Sequence, residues 1–261
     1  MQNTIPCTDN MDLGPGEVVA YSKPAPYRAS EPTTDNEDSY LVLPLTETSA
    51  VIAVADGMGG TADGKIASTL AIESIREACG SRTANPLALR EPILDAIELC
   101  NSELLSQGTG TGTTIAVVEV QGSTIRSYHA GDSTVMVVGQ RGVLKLQTIS
   151  HSPVAMAVES GYMAQDDIAL QQDRHWLSNH VGSLEMRIEI GPPTDLAHFD
   201  TLLVCSDGLT DNLSVEEIAD AIRKGPIPTC MSELTSRAET NMVLDSGYPD
   251  DLSAIIFRGT R

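Results

Sequence analysis

The chain has 261 residues, 41% of them apolar and only 3% aromatic, enough for a buried core and too apolar for a disordered chain. Its formal net charge of −20 opposes nucleic acid and anionic membrane surfaces as main partners and attracts cations. The five cysteines (Cys7, Cys79, Cys100, Cys205, Cys230) are odd in number and contain no C-x-x-C pair, so no disulfide framework or zinc site is expected and a reducing, cytoplasmic setting is.

The N-terminus carries Asp9 and Asp12 and lacks the basic start and apolar stretch of a signal peptide. No apolar run reaches the ~18 residues of a membrane span. Residues 1–32 are rich in Pro, Gly and Ser and are expected to be a loosely ordered or edge-strand lead-in to a single domain over 33–261.

Strands are expected at Tyr40–Leu45 and at Ala50–Ala55. The second reads AVIAVA and stops at Asp56-Gly57; a run apolar at every position implies a strand covered on both faces. The period then becomes helical. Ile66, Ala67, Leu70, Ala71, Ile75 and Ala78 form one stripe before Gly80. A second helix is expected from about Pro86 to Ser106, with Leu87, Ile93, Leu94, Ile97 and Leu104 inward.

Short strands follow at Thr113–Val120, Thr124–His129, Val135–Gly139 and Val143–Gln147, with hairpin turns at Gln121-Gly122 and Arg141-Gly142. Residues 150–184 show no clean period and are expected to form a flexible insert. Glu185–Ile190 and Thr201–Cys205 read as strands. Ser214, with Glu217 three residues on, predicts a capping box and a helix to about Arg223. A further helix covers roughly Thr229–Leu244, and Leu252–Phe257 is the last strand. Strands, two helices, many antiparallel strands, helices and a strand make an α+β fold, with helices on a strand-rich core.

Carboxylates recur at the strand ends. Asp56 opens Asp56-Gly57-Met58-Gly59-Gly60, and Asp207 opens a similar turn after Leu202–Cys205. Asp250-Asp251 precedes the last strand, Gly131-Asp132-Ser133 separates two strands, and Asn36-Glu37-Asp38-Ser39 precedes the first confident one. Each alone is an ordinary turn carboxylate. Together they suit hard divalent cations, which take carboxylate, carbonyl and water oxygens. The Gly-rich turn is not a P-loop, because Lys65-Ile66 stands where Lys-Ser/Thr would be needed.

NEDS at 36–39, ADGMGG at 55–60, GTGTT at 110–114, AGDS at 130–133, HS at 151–152, LSNHVG at 177–182, SDGLTDNLS at 206–214 and DDLSAII at 250–256 resemble the ordered motifs of the PPM (PP2C-type) serine/threonine phosphatases. The resemblance runs from about Asn36 to Arg258. It implies a four-layer αββα sandwich of two antiparallel sheets, and hydrolysis of phosphoserine and phosphothreonine in protein substrates by a metal-activated water. It implies two Mn²⁺ or Mg²⁺ ions, with a third, weaker site. Carried over, Asp56 bridges the two ions, the Gly57 carbonyl binds one, and Asp207 and Asp250 bind the other. Asp251 takes the position of the family's Asn. Glu37 and Asp38 hold metal-bound waters or the ligands around them, and Asp132 serves the third ion. Residues 150–184 match the family's flap.

The family's Arg before NED, which grips the substrate phosphate, is replaced by Thr33-Thr34-Asp35, leaving Arg28 as the nearest candidate; threonine does not replace a bidentate guanidinium. Thr61 stands where a His, a candidate general acid, often follows DGMGG, and Thr134 where an Arg often follows GDS. The first reading is therefore an active, monomeric phosphoprotein phosphatase. The alternatives are a pseudophosphatase acting as a regulatory binding module, and a cation-stabilised structural domain. Outside the aspartates, His129, His151, His175, His180, Met156 and Met163 are expected to serve as strand, turn or packing residues, and Cys205 as inert core.

Overall fold

The computed structural model of the chain describes residues 10–12, 15–26, 36–58, 62–80, 88–162, 176–244 and 246–259. Its strands are β1 (Asn10–Asp12), β2 (Gly16–Lys23), β3 (Ser39–Thr46), β4 (Ser49–Ala55), β5 (Gly57–Met58), β6 (Gly112–Thr113), β7 (Ile115–Gln121), β8 (Thr124–Ala130), β9 (Thr134–Val138), β10 (Leu144–Gln147), β11 (Glu189–Ile190), β12 (Thr194–Asp195), β13 (Thr201–Cys205) and β14 (Leu252–Gly259). Its helices are α1 (Ala62–Gly80), α2 (Arg90–Gln107), α3 (Pro153–Glu159), α4 (Asp207–Thr210), α5 (Val215–Ile222) and α6 (Ile227–Met242).

Two antiparallel sheets stack face to face. One runs β1-β2-β14-β13-β9-β10, the other β11-β8-β7-β4-β3 with β12 also on β8. Strand alternation sorts the core into three layers. Ala50, Ile52 and Val54 of β4 meet Leu202 and Val204 of β13 between the sheets. Val51, Ala53 and Ala55, on the other face of β4, pack under α1 and α2. Leu203 and Cys205 face α5 and α6 with Ile218, Ile222, Met231 and Leu234. This is why Ala50–Ala55 of β4 and Leu202–Cys205 of β13 are apolar at every position: both faces are covered. The result is the expected αββα order. The thinness of the aromatic content is met by close packing of Ala, Val, Ile and Leu, with Phe257 and Tyr128 the largest fully buried side chains.

Local signals set the helix starts. The Ser214 hydroxyl accepts from Glu217 N at 3.2 Å and Glu217 Oε2 accepts from Ser214 N at 2.9 Å, so the capping box is formed. Gly122 and Gly142 take φ of 59° and 80° at the two expected hairpin turns.

Several expectations are corrected. Residues 16–23, expected in a loosely ordered or edge-strand lead-in, are an inner strand paired along their length with β14 and flanked by β1. Their partner lies more than 200 residues away in sequence, so no local period reveals it. The insert contains a short helix, α3, started by Pro153 with Ser152 as its cap. The strand expected over Glu185–Ile190 shrinks to Glu189–Ile190, and Thr194–Asp195 and α4 went unpredicted. Ile66, placed on the inner stripe of α1, is 54% exposed, and Ile72 is buried in its stead. Pro86 and Leu87 lie outside the described residues.

Cys79, Cys100, Cys205 and Cys230 are buried and form no disulfide. Among the described residues no helix is long and apolar enough to cross a membrane.

Candidate metal centre

Antiparallel pairing brings the carboxylates together. Asp56 leaves the C-terminal end of β4, and Ser39↔Ala55 pairing puts Glu37 and Asp38, at the start of β3, at that same end. In the other sheet, Cys205↔Ala254 pairing puts Asp207, after β13, beside Asp250 and Asp251, before β14. Cys205↔Thr134 pairing adds Asp132, whose turn carries the chain from β8 in one sheet to β9 in the other. Five chain segments therefore deliver carboxylates to one end of the cleft between the sheets.

Each segment is pinned by hydrogen bonds. Asp56 N donates to Thr114 Oγ1 at 3.0 Å, while the Asp56 carbonyl accepts from Thr114 N and Thr113 Oγ1, both at 2.8 Å. Thr114 Oγ1 also bonds Ser133 Oγ at 2.6 Å, linking the Asp56 turn to the Asp132 turn. Ser206 Oγ donates to Asp38 Oδ2 at 2.7 Å and accepts from Ser253 N at 3.0 Å. The Asp251 carboxylate accepts from Ala25 N at 2.7 Å and Glu37 N at 2.6 Å, so Asp251 ties the segment holding Glu37 to β14. Asn212 bonds both the Gly208 carbonyl and Tyr248, steadying the loop ahead of Asp250. Lys65, on α1, donates to the Asp38 carbonyl at 2.6 Å and to Ser39 Oγ at 3.1 Å. Thr113, Thr114, Ser133, Ser206 and Asn212 received no role from sequence reasoning. The available signal was their place as small polar residues inside the quoted motifs.

The electrostatics are those of crowded like charges. Burial pushes the Asp38 carboxyl up to about 7; the Ser206 hydrogen bond opposes this, and Asp251 and Asp250 add to it. Asp56 is held well above the ordinary range by burial, then by Asp38, Asp207, Asp250 and Asp132. Asp207 is raised by burial, then by Asp132, Asp250 and Asp211. Asp38 Oδ1 and Asp207 Oδ1 are buried without a hydrogen-bond partner. Unpartnered buried carboxylate oxygens, hard donors and mutual repulsion together fit divalent cations.

Close backbone approach explains the glycines after the two lead aspartates. A Cβ on Gly57 would stand 2.0 Å from the Gly64 carbonyl oxygen and 2.9 Å from that of Glu37; one on Gly208 would stand 2.1 Å from the Asp251 carbonyl oxygen. Gly57→Ala is therefore expected to lower stability by at least about 1–3 kcal/mol, the usual cost of overpacking a rigid site. Urea denaturation measures it; an unchanged midpoint would show that the Gly57–Gly64 approach is soft.

His129 lies on β8, and His151 and Ser152 precede α3. His180 packs on the Gly112 backbone, its pKa lowered by burial, with Nδ1 buried and unpartnered. Met156, expected to pack, is 46% exposed. Arg28, Thr33, Thr34, Asp35, Thr61, Met163 and His175 lie outside the described residues.

A family model for protein phosphatase 2C matches residues 31–243. The serine/threonine phosphatase stp of Listeria monocytogenes serotype 4b is 28% identical over 199 residues, which cover 72% of this chain and 77% of that protein. The solved S. agalactiae serine/threonine phosphatase is 25% identical with a TM-score of 0.80, covering 93% of this chain and 99% of its own. The catalytic domain of the serine/threonine phosphatase PstP, solved in complex with two manganese ions, shares the fold at 24% identity and a TM-score of 0.75, covering 94% and 98%.

Proposed function

The chain belongs to the protein phosphatase 2C family, and on that footing we propose that it is a metal-dependent serine/threonine phosphatase acting on phosphorylated proteins through a binuclear Mn²⁺ or Mg²⁺ centre. The observation that carries the reading is the meeting of five carboxylate-bearing segments at one end of the inter-sheet cleft. The two manganese ions of the PstP catalytic domain, which shares this fold, support the number of ions.

Asp56, the Gly57 carbonyl, Asp207 and Asp250 would hold the two ions, with Asp132 toward a third. Glu37 and Asp38 would orient coordinated water. When bound, such ions offset charge on phosphoryl oxygens and lower the pKa of water at the site. The residues' own task is to fix the donors in advance. Thr113 and Thr114 hold the Asp56 backbone on both sides, and Ser206 turns the Asp38 carboxylate. Asp251, in the family's Asn position, spends both oxygens on backbone N–H groups, so it serves as a brace while Asp250 faces the cluster.

Electrostatics decide between a cation-dependent and a cation-free site. A carboxylate and a phosphate oxygen about 4 Å apart repel by about 4 kcal/mol at an effective dielectric near 20. Several such carboxylates cannot admit a phosphate dianion uncompensated. The reading thus requires turnover that depends on added cation.

The test is a Mn²⁺ and Mg²⁺ titration of the chelated protein on a small aryl phosphate, then on phosphoserine and phosphothreonine peptides. Saturable, metal-dependent turnover is expected. Phosphopeptide binding without turnover above an Asp56→Ala/Asp207→Ala control would overturn the catalytic reading and leave a binding module.

A further inference from the structure

Away from the aspartates, His129, His151 and Glu189 are the group of three His, Cys, Asp or Glu side chains among the described residues whose ligand atoms all lie within 4.8 Å of one another. Their hydrogen bonds show that they do not form a cation site. His151 Nδ1 accepts from the Gly131 backbone N–H at 3.0 Å and from Asn179 Nδ2 at 2.8 Å. The orientation of the Asn179 amide is fixed independently: its Oδ1 accepts from Arg187 N at 2.9 Å and its Nδ2 donates to the Arg187 carbonyl at 2.8 Å. A ring nitrogen accepting from a peptide N–H carries no proton, so neutral His151 bears its proton on Nε2. That N–H donates to Glu189 Oε2 at 3.2 Å. A cation on Nε2 would have to expel this proton while Nδ1 still faces two donors.

The same residue is tied through its backbone. His151 N donates to the Gly131 carbonyl at 3.0 Å, and the His151 carbonyl accepts from Ser178 N at 2.9 Å and Ser178 Oγ at 2.7 Å. Its ring stacks on His129 with centroids 4.6 Å apart and planes 11° apart. His129 in turn donates from Nε2 to the Ile149 carbonyl at 3.0 Å and stands opposite Glu189 in the β8–β11 pair. His151 therefore joins the entry of the 150–184 segment, at 151, to its exit, at 178–179. It joins both to the turn Gly131-Asp132-Ser133. That turn has little freedom elsewhere, since Gly131 has φ of +111° and packs where a Cβ would meet Thr114 at 2.7 Å.

We propose that His151 is a positioning residue: through its Nδ1 acceptor it sets the Asp132-bearing turn from the base of the 150–184 segment. Its consequence for turnover rests on the phosphatase reading above; its geometry does not. Removal of a side chain that orients a ligand-bearing segment typically costs about 10–100-fold in activity or metal affinity.

Two isosteres separate the halves of the imidazole. His151→Asn places an amide oxygen near the Nδ1 position and gives up the Glu189 contact. His151→Gln reaches the Nε2 position and gives up the acceptor for Gly131. In full-length protein, kcat on an aryl phosphate should stay close to wild type in His151→Asn and fall about 10–100-fold in His151→Gln and His151→Ala. In the chelated protein, amide exchange of peptides spanning 130–134 and 177–182 should speed up in His151→Gln and not in His151→Asn. Imidazole ¹⁵N signals of wild type should show the neutral Nε2–H tautomer. Equal behaviour of the Asn and Gln variants, or an Nδ1–H tautomer, would overturn the proposal, and the Asn/Gln pair decides even where the Ala variant fails to fold. A wild type without turnover, combined with the expected exchange pattern, would sink the phosphatase reading and leave the positioning role standing.

Discussion

Asp56→Asn is expected to abolish turnover and, in the same protein, to raise the melting temperature measured in chelator. The first effect follows from the loss of a donor that faces Asp38, Asp207, Asp250 and Asp132 at once. Losing a several-kcal/mol electrostatic contribution lowers the rate by at least about a thousandfold, each 1.4 kcal/mol being tenfold. The second follows from the same crowding. Asn keeps the shape of Asp and cannot ionise, so the cation-free fold is spared both the repulsion of a buried carboxylate there and the cost of keeping that carboxyl protonated. For a chain of this size each kcal/mol gained shifts the midpoint by roughly 2–4 °C. The pair of measurements is more telling than either alone. A catalytic loss with a fall in melting temperature would mean that Asp56 braces the fold, and that the aspartates are not a strained donor set.

The stability of the chelated protein should fall as pH rises from about 4 to 8, and divalent cation should reverse the fall. Asp38 is raised from its ordinary 3.8 to about 7, and Asp56 and Asp207 are raised as well. Below the unfolded value these carboxyls are protonated in both states and contribute no penalty. As pH climbs above it, the unfolded chain releases protons that the folded chain retains. Stability therefore drops until the folded value is passed, and the penalty is then complete. For Asp38 alone the span is on the order of 4 kcal/mol, or roughly 10 °C. Mn²⁺ or Mg²⁺ at about a hundred times its dissociation constant adds about 2.7 kcal/mol per site. The gain should be larger at pH 8 than at pH 5, where protons compete for the same oxygens. Thermal melts at both pH values, with chelator and with cation, measure it. A metal-induced shift that is independent of pH would place the cations elsewhere than on these carboxylates.

Much of the architecture was legible in the chain. The unbroken apolar run at Ala50–Ala55 required cover on both faces and has it, and Thr201–Cys205 is the strand its residues predict. The capping box at Ser214 and the turns at Gly122 and Gly142 form because their chemistry is local. The strand-end aspartates, in their order, indicated the family.

What escaped sequence reasoning is non-local. Gly16–Lys23 looked like a lead-in because its partner, Leu252–Gly259, is at the other end of the chain. Ile66 and Ile72 both fit a helical stripe, and only the position of the neighbouring sheet shows which one is buried. Asp250 and Asp251 are adjacent and chemically identical. The sequence alone told them apart by analogy, whereas the backbone N–H groups of Ala25 and Glu37 give Asp251 a bracing task.

By itself, then, the sequence determined which segments are strands buried on two faces, where carboxylates end them, and which family arranges them so. Period, capping and motif order are properties of neighbouring residues and need no fold to be read. Only the tertiary structure decided that five of those ends coincide, that Thr114 and Ser206 hold them, and that His151 joins the insert to the Asp132 turn. Those facts depend on antiparallel register between strands far apart in the chain, and on which nitrogen of one imidazole faces a peptide N–H. Neither leaves a trace in local sequence.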